Sequence, residues 1–334
     1  MSDKNTVTYV FQKPQINLAR STASRMWLVN ICAFLAVIQS SLTDSYSSLF
    51  IALSAVSSAV LTEFLILYRT EKRYVLKDGS TVASALILTL LLPNSISPIY
   101  AALGAAFAIA VIKHSFGGLG SNWLNPAAGG WLFIRFSWPA AFTTNVNAVF
   151  STASSSPSSI DSILSSFFNK TIFTVVGVEL PAGYIDLFAS RLPGIIADRA
   201  VFALLLGTLV ITASQAIRSW VPLVYLTVFS ILVRLFRTLP YEAELMGGDL
   251  IYSLCTGGTL IAAFFLTADP VTSAKSTRGI LLTTVIAAGI TFIFRFFGNE
   301  PYGAVLTAVF INAMLPMVRV LEGSKLYGKQ GKPS

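Results

Sequence analysis

Charged residues are scarce in this chain of 334 residues: Asp, Glu, Lys and Arg make up only 11%, whereas 54% are hydrophobic. Water-soluble domains carry about a quarter charged residues, so the composition excludes an ordinary soluble enzyme. A bilayer favours such a composition because each helix that crosses it needs roughly 20 apolar residues. The sequence therefore predicts an integral membrane protein whose main surroundings are lipid.

Metal ligands are scarce as well, since the chain has two cysteines and one histidine. Cys32 and Cys255 lie far apart inside apolar runs, and no CxxC pair is present. We therefore expect no zinc or iron–sulfur site held by this chain alone, although a cluster shared with another protein of a complex stays open. No nucleophile–base set and no Walker motif is present, so no catalytic residue is predicted.

The formal net charge of +8 does not indicate a nucleic-acid partner. The basic residues fall in short stretches between apolar runs, where they are typical of membrane orientation. Sixteen Lys and Arg residues lie on the side that holds both termini, and six lie on the other side. This asymmetry predicts a multi-pass protein of the inner (cytoplasmic) membrane with both termini in the cytoplasm. No cleavable signal peptide is expected, because residues 1–25 are polar and basic.

About ten apolar segments can be distinguished, and all are predicted to be helices because backbone polar groups must be satisfied inside lipid. The segments are 27–43, 47–68, 80–93, 98–113, 127–143, 200–217, 220–236, 250–267, 279–297 and 302–320. The fold class is therefore an all-α polytopic membrane protein.

A long polar stretch divides these segments into five and five. The predicted organisation is a cytoplasmic segment 1–25, a first five-helix repeat 26–143, an outer loop 144–199, a second repeat 200–321 and a cytoplasmic tail 322–334. The beginning of the loop, STASSSPSSIDSILSS, has the composition of a flexible linker.

The two halves show a weak similarity to each other. SALILTLLLPN in the first half ends at Pro93 and Asn94, and GTLIAAFFLTADP in the second ends at Asp269 and Pro270. Five segments per half would invert the second copy in the membrane, and proline-interrupted helices at matching places are typical of inverted repeats with a site near the midplane. The alternative is that these prolines only kink helices packed on small residues.

Several polar residues within or beside the apolar segments are candidate binding residues. Asp269 ends an apolar run, and a carboxylate at membrane depth costs roughly 2.5–3.5 kcal/mol unless it has a partner, although Asp269 could equally form a turn. Arg135 is placed near the centre of the fifth segment, where we expect it to face the interior and meet an anionic group. Glu63 is expected to pair with a nearby basic residue.

The stretch GGLGSNWLNP is rich in Gly and Asn. Gly117 and Gly118 would let the backbone approach a ligand closely, and Asn122 and Asn125 would supply polar contacts. His114, which directly precedes this stretch, is interpreted as an interfacial residue rather than a proton relay.

Four blocks, taken together, resemble a known family: DGSTVASALILTLLLPNSISPIY, KHSFGGLGSNWLNPAAGG, FFLTADPVTSAKSTRG and NEPYGAVLTAVFINAMLP. They resemble RnfD, a membrane protein of the Rnf complex, and, more loosely, NqrB of the sodium-pumping NADH:quinone oxidoreductase. The resemblance covers roughly residues 20–322. It implies two inverted five-helix repeats related to the urea-transporter fold, within a multi-subunit complex. That complex passes electrons between ferredoxin or NADH and an acceptor and moves Na⁺ or H⁺.

The resemblance also implies flavin cofactors. Members carry FMN joined through its phosphate to a Thr in a motif like D-x-x-S-G-A-T, attached by a separate flavin transferase, and a second flavin, riboflavin, is held non-covalently. The best match here is NAVFSTAS, residues 147–154, with Asn147 at the Asp position and Ser154 at the acceptor position. Ser154 has the hydroxyl that a phosphoester needs, and Thr152 lies close by. Attachment at Ser154, attachment elsewhere in the loop and loss of the covalent flavin all remain open.

Three functions follow as expectations. The first is a flavin-carrying membrane component of an electron-transport translocase, which is not expected to turn over alone. The second is a solute channel or transporter on the same scaffold, because a fold does not fix a function. The third is a flavin-free component that holds the complex together.

Overall fold

The computed structural model describes residues 21–43, 46–70, 78–118, 120–142, 159–173, 184–188, 194–236, 250–298 and 302–326. Within these ranges the protein is built from helices, and the bridge between Pro93 and Ile195 is isolated. The predicted all-α membrane fold is confirmed. The first half contains α1 (Thr22–Thr43), α2 (Ser47–Arg69), α3 (Ser80–Leu91), α4 (Pro98–Phe107, continued by the π-helical turn Ala108–Lys113) and α5 (Pro126–Ser137).

The remaining helices follow the same order. They are α6 (Ser159–Phe168, continued by the π-helical turn Asn169–Phe173), α7 (Tyr184–Phe188), α8 (Val201–Ala213), α9 (Trp220–Phe236), α10 (Leu250–Cys255), α11 (Thr259–Ile261, continued by the π-helical turn Ala262–Leu266), α12 (Thr277–Phe292, continued by the π-helical turn Ile293–Phe297) and α13 (Gly303–Leu326).

Each of the ten apolar segments coincides with helix, but the segments differ in length. Four helical stretches are long and apolar enough to cross a membrane: Thr22–Thr43, Ser47–Arg69, Thr277–Phe297 and Gly303–Val320. The third segment, α3, has only 12 residues. The eighth is broken into α10 and α11 by Gly257 and Gly258, which have φ of +64° and +68°. The segments therefore combine long helices with short and broken ones.

Pro93 and Pro270 each follow the end of a helix rather than kinking one, whereas Pro316 lies inside α13. Leu92, before Pro93, is extended with φ −90° and ψ 150°, as expected of a residue that precedes proline. Its carbonyl accepts a hydrogen bond from Ile196 N–H at 2.9 Å, so the backbone group freed by the helix end is satisfied. The turn that begins at Thr267 likewise separates the π-helical turn after α11 from Pro270. The alternative of simple proline kinks is wrong at both places.

Local structure repeats between the halves. α3 follows Gly79, and α11 follows Gly258, and both glycines are left-handed helix caps with φ of +71° and +68°. The next helix of each half, α4 or α12, ends in a π-helical turn. These matching caps and turns support the internal repeat read from the sequence.

The Ser-rich part of the outer loop contains a helix. Asp161 on α6 accepts hydrogen bonds from the N–H groups of Ile185 (2.9 Å) and Asp186 (3.2 Å) at the start of α7. The prediction of a flexible linker is therefore wrong from Ser159 onward. Its composition hid an amphipathic pattern in SIDSILSSFF, where Asp161 is buried by contacts distant in sequence.

The largest buried cluster joins both halves. The fully enclosed Leu88 and Leu91 of α3 and Trp131 of α5 belong to the same cluster as Ile196 of the outer loop and Ile261 of the second half. The C-terminal part of α3 and the helix α11 are thereby held in the interior of the molecule.

Candidate functional site: an inner cavity between the two halves

A cavity of about 220 Å³ opens where the two halves meet, on the side that carries the first turn of α1. Its walls are largely apolar and include Val29, Ile87, Ile211 and Phe265. Its polar lining includes Ser80, Lys113, Asn122, Asn125 and Asp269. Three of the sequence-predicted binding residues, Asn122, Asn125 and Asp269, therefore come together at one site.

Asn125 connects the two halves. It is the N-cap of α5, and its Oδ1 accepts hydrogen bonds from Ala127 N–H (3.0 Å) and Ala128 N–H (3.4 Å). Pro126 follows at the first helical position, where its missing N–H costs nothing. The cap leaves Asn125 Nδ2 free to donate to Asp269 Oδ2 at 3.3 Å in the second half.

Asp269 is both a turn residue and part of the cavity wall. Its Oδ1 accepts from Val271 N–H at 3.1 Å, and its Oδ2 accepts from the Thr272 hydroxyl at 2.9 Å. These bonds confirm the turn-forming alternative read from the sequence. The backbone N–H of Lys275 donates to Glu322 Oε2 at 3.2 Å.

Asn122 is the polar residue of the cavity with an unused hydrogen-bonding atom. It is 8% exposed, and its Oδ1 is buried without a hydrogen-bond partner in the described part of the chain. A buried unsatisfied acceptor costs roughly 1–3 kcal/mol, so a ligand that donates a hydrogen bond here would recover that energy. Asn122 therefore marks the point at which a polar ligand group would be bound.

Lys113 closes another wall of the cavity with a buried charge cluster. Its Nζ donates to Glu63 Oε1 (2.7 Å), Ser80 Oγ (2.8 Å) and Thr81 Oγ1 (2.6 Å). Thr81 also donates to Glu63 Oε2. The expected pairing of Glu63 with a basic residue is confirmed.

His114 is close to the same carboxylate. Its Nε2 lies 3.2 Å from Glu63 Oε1, and its side chain is 15% exposed. It is therefore mostly enclosed rather than lying freely at the membrane interface.

A second buried cation occupies the matching place in the other half. Arg295, in the π-helical turn after α12, donates to Ser253 O (2.6 Å), Thr259 Oγ1 (2.5 Å) and Thr256 Oγ1 (3.1 Å). Lys113 and Arg295 are each 2% exposed. The sequence analysis placed both residues at the ends of apolar segments, so it did not predict either buried cluster. The sequence does contain an indication of these clusters. Each cation ends an apolar run, and the helix that contacts it begins at a Gly-Ser-Thr sequence in the first half and at a Gly-Gly-Thr sequence in the second.

The other candidate residues lie elsewhere. Gly117 and Gly118, with φ of +116° and +99°, form the turn after Lys113 and do not line the cavity. Their left-handed backbone explains the need for glycine without a ligand. Ser154 and Thr152 lie outside the described residues, so the covalent attachment site stays a prediction.

Arg135 is not at the centre of a span, as the sequence suggested. It lies in the last turn of α5, because that helix ends at Ser137, and it is partly buried. Its guanidinium lies over the ring of Phe142, with 5.3 Å from Cζ to the ring centroid. The segment was read as longer because apolar residues continue through the 3₁₀ turn Pro139–Phe142. An anionic partner for Arg135 stays a prediction.

Comparison with known proteins gives a match over almost the whole chain. Residues 9–328 match the family described as NQR2, RnfD, RnfE family. The chain is 27% identical over 319 residues to the Clostridium ljungdahlii protein named as the D component of a proton-translocating ferredoxin:NAD⁺ oxidoreductase complex, covering 94% of each chain. It is 27% identical to the Acetobacterium woodii protein named as the D component of a Na⁺-translocating ferredoxin:NAD⁺ oxidoreductase complex, covering 96% of this chain and 95% of that one. It is 26% identical to the Vibrio atlanticus protein named as the D component of an ion-translocating oxidoreductase complex, covering 96% of this chain and 99% of that one.

Proposed function

This chain belongs to the NQR2, RnfD, RnfE family, and on that premise we propose that it is the membrane component of a complex that couples electron transfer to movement of Na⁺ or H⁺. The observation that carries the proposal is the end-to-end similarity to relatives named as the D component of ferredoxin:NAD⁺ oxidoreductase complexes. The partners are the other subunits of such a complex. The electrons pass between ferredoxin or NADH and an acceptor.

The proposed location is the inner membrane with both termini in the cytoplasm. The distribution of Lys and Arg supports this orientation. It puts the inner cavity, which the first turn of α1 and the segment after Asp269 both line, on the cytoplasmic side. The outer loop with its flavin motif then faces the opposite side.

We further propose that the inner cavity binds a non-covalent flavin. At about 220 Å³ the cavity is smaller than the 300–1,000 Å³ typical of whole-ligand pockets, so it suits a planar ring system better than a complete dinucleotide. We propose riboflavin as the ligand, with its ring in the cavity and its ribityl chain extending through the opening. When bound, the flavin would supply a relay for one or two electrons, and the protein would supply position and electrostatics.

The residues of the cavity fit such a ring. The unpartnered Oδ1 of Asn122 can accept a hydrogen bond from a ring N–H. Asn125 and Asp269 are already oriented by the cap and the turn, so they form a preorganised polar edge. The apolar walls, which include Ile87 and Phe265, would exclude water from the faces of the ring.

An Asn122→Leu variant tests the cavity. Leu keeps the volume but removes the acceptor, so the affinity of the purified chain for riboflavin should fall about 5-fold to 100-fold, the range for one buried hydrogen bond left unmade. Quenching of riboflavin fluorescence in detergent micelles measures this affinity.

Asn312→Leu is the matched control. Asn312 is also a buried Asn, 3% exposed, with an Nδ2 that lacks a partner among the described residues, yet it does not line the inner cavity. Riboflavin affinity should be unchanged in this variant. A wild-type protein that never binds riboflavin would contradict the cavity assignment. If it still copurified with the other proteins of the complex, the flavin-free structural function would be supported, whereas solute flux by the isolated chain in liposomes would support a channel.

A further inference from the structure

Lys113 forms part of the cavity wall, whereas its counter-ion does not. Lys113 and Ser80 both line the cavity, and Glu63 is absent from its lining. The carboxylate therefore lies behind the ammonium group as seen from the cavity. A ligand in the cavity is therefore nearer to the ammonium group of Lys113 than to the carboxylate of Glu63, and Asp269 is the carboxylate that the cavity wall itself carries.

The N-terminus of α3 adds positive partial charge to the same wall of the cavity. Ser80 is the first residue of α3, so the positive end of the helix dipole lies at the same wall as Lys113. A cation at a helix N-terminus is unfavourable by itself, and the 2.7 Å contact with Glu63 offsets that cost. The cluster thus keeps a positive charge beside the cavity that the apolar surroundings would otherwise reject.

The matching cation of the second half is enclosed in a different way. Arg295 donates to hydroxyl and carbonyl oxygens, interacts with the charge of Asp198, and lies over the rings of Phe229 and Phe296, at 5.6 and 5.4 Å from their centroids. It does not line the inner cavity. The repeat therefore holds a buried cation in each half, and the one in the first half borders the cavity.

We propose that Lys113 is a positioning residue that stabilises the negatively charged, reduced form of the ring in the cavity, and that Glu63 sets how strongly it does so. The inference rests on the flavin proposal above. Gain of two electrons from the electron donor of the complex and one proton at N5 converts the neutral ring into an anion, with its charge at N1. Lys113 supplies the opposite charge at short range, and Glu63 attenuates it.

The ratio of reduced to oxidised riboflavin affinity tests this proposal. It is obtained from fluorescence and absorbance titrations of the full chain in micelles, with and without dithionite, or from the midpoint potential of the bound flavin. Lys113→Met should lower the ratio about tenfold, the scale expected of one charge beside a partly desolvated site. Glu63→Gln should raise it about tenfold, because Lys113 is then less compensated.

The double variant Glu63→Gln/Lys113→Met should give a ratio between those of the single variants. Glu63→Gln also keeps the test open if Lys113→Met fails to fold, since it leaves the lysine in place. Lys275→Met is the control, because Lys275 is an exposed cation that does not line the cavity, and its ratio should equal that of the wild type.

Equal ratios in wild type, Lys113→Met and Glu63→Gln would overturn the role of Lys113 while leaving the flavin proposal intact. Riboflavin that fails to bind the wild-type chain in either redox state would overturn both proposals. A role of the cluster in stability alone predicts equal losses of both affinities, and this outcome would also contradict the inference.

Discussion

Two residues near the end of α13 hold the segment that follows Asp269. Arg319 donates to Val271 O (3.0 Å) and Ser273 O (3.1 Å). Glu322 accepts from Ser276 N–H (3.0 Å) and from the Ser276 hydroxyl (2.5 Å). Because this segment directly follows Asp269 and its residue Val271 lines the inner cavity, these contacts fix one wall of the cavity.

The charge of Glu322 makes these contacts sensitive to pH. Burial raises the pKa of the Glu322 carboxyl, but the hydrogen bonds from Ser276 and Lys275, together with the charge of Arg319, outweigh burial and leave the pKa below its ordinary value of 4.5. A pKa that is lower in the folded state gives stability that is present above pH 4.5 and is lost as the pH falls through the folded-state pKa. The thermal midpoint of the purified wild type should therefore fall on acidification below about pH 4.5.

Glu322→Gln separates this effect from other acidic groups. Gln retains an acceptor oxygen but does not titrate, so the difference in thermal midpoint between wild type and variant should be largest above pH 5 and should shrink towards pH 3. Differential scanning fluorimetry across this range measures it. A difference that stays constant with pH would contradict a charged Glu322 as the acceptor.

At the scale of single residues, the sequence predicted which polar residues belong to the candidate site better than it predicted which residues contact one another. Asp269 was identified because a carboxylate is rare at the end of an apolar run, and Asn122 and Asn125 because they lie in a stretch rich in Gly and Asn; the structure brings all three to one cavity. Lys113 was counted as a loop charge because nothing local indicates that Glu63, 50 positions away, folds against it. Contacts of this kind depend on how helices pack, which composition does not encode.

At the scale of secondary-structure elements, the outer segment 194–200 contacts both interrupted helices. Ile196 N–H donates to Leu92 O at the end of α3. Asp198 accepts from the N–H groups of Gly257 (3.0 Å) and Gly258 (2.9 Å), directly before α11. One short segment thus supplies hydrogen-bond partners for backbone groups at the C-terminus of α3 and at the N-terminus of α11.

Asp198→Ala should weaken this connection. Two buried N–H groups would lose their acceptor, and each unmade bond costs about 1–3 kcal/mol, so we expect a loss of about 2 kcal/mol or more in stability. Unfolding of the micelle-bound protein by denaturant or heat measures the change. Asp198→Asn keeps one acceptor oxygen and should lose less, and equal stability of Asp198→Ala and wild type would show that the segment does not cap α11.

The helices themselves were largely predictable, and their ends were not. Every apolar segment coincides with helix because lipid leaves the backbone no other partner. The end of the fifth segment was misplaced because Trp138 to Phe142 are apolar yet not α-helical. The helix α6 was missed because Ser is common in linkers, and its stabilising contact, from Asp161 to Ile185, is made across 24 positions.

At the scale of the whole molecule, the two halves share the same local structure, but its surroundings differ between them. Each half has a glycine-capped short helix and a buried cation at a π-helical turn. The cation of the first half borders the inner cavity, and that of the second half lies close to the outer segment through Gly257, where an added Cβ would approach Arg295 Cζ to 2.7 Å. The same local structure therefore borders a cavity in the first half and packs against the outer segment in the second.

The last prediction concerns that outer site. When the chain is expressed with an active flavin transferase, a denaturing gel under blue light will show a fluorescent band if FMN is joined to the protein. Ser154 is the candidate acceptor, so Ser154→Ala should abolish the fluorescence, and Thr152→Ala should retain it. Loss of fluorescence only in Thr152→Ala would move the phosphoester to Thr152.

A dark wild-type band, with a transferase that labels a control protein, would mean that this chain lacks covalent flavin. Electron transfer through this protein would then depend on the inner cavity alone, because the outer loop would hold no attached relay. In that case Asn122→Leu should lower electron transfer in the assembled complex when riboflavin is limiting, because its affinity for riboflavin is weaker. A fluorescent band would instead leave two relays, one on each side of the membrane, whose separate contributions the Ser154→Ala and Asn122→Leu variants would measure.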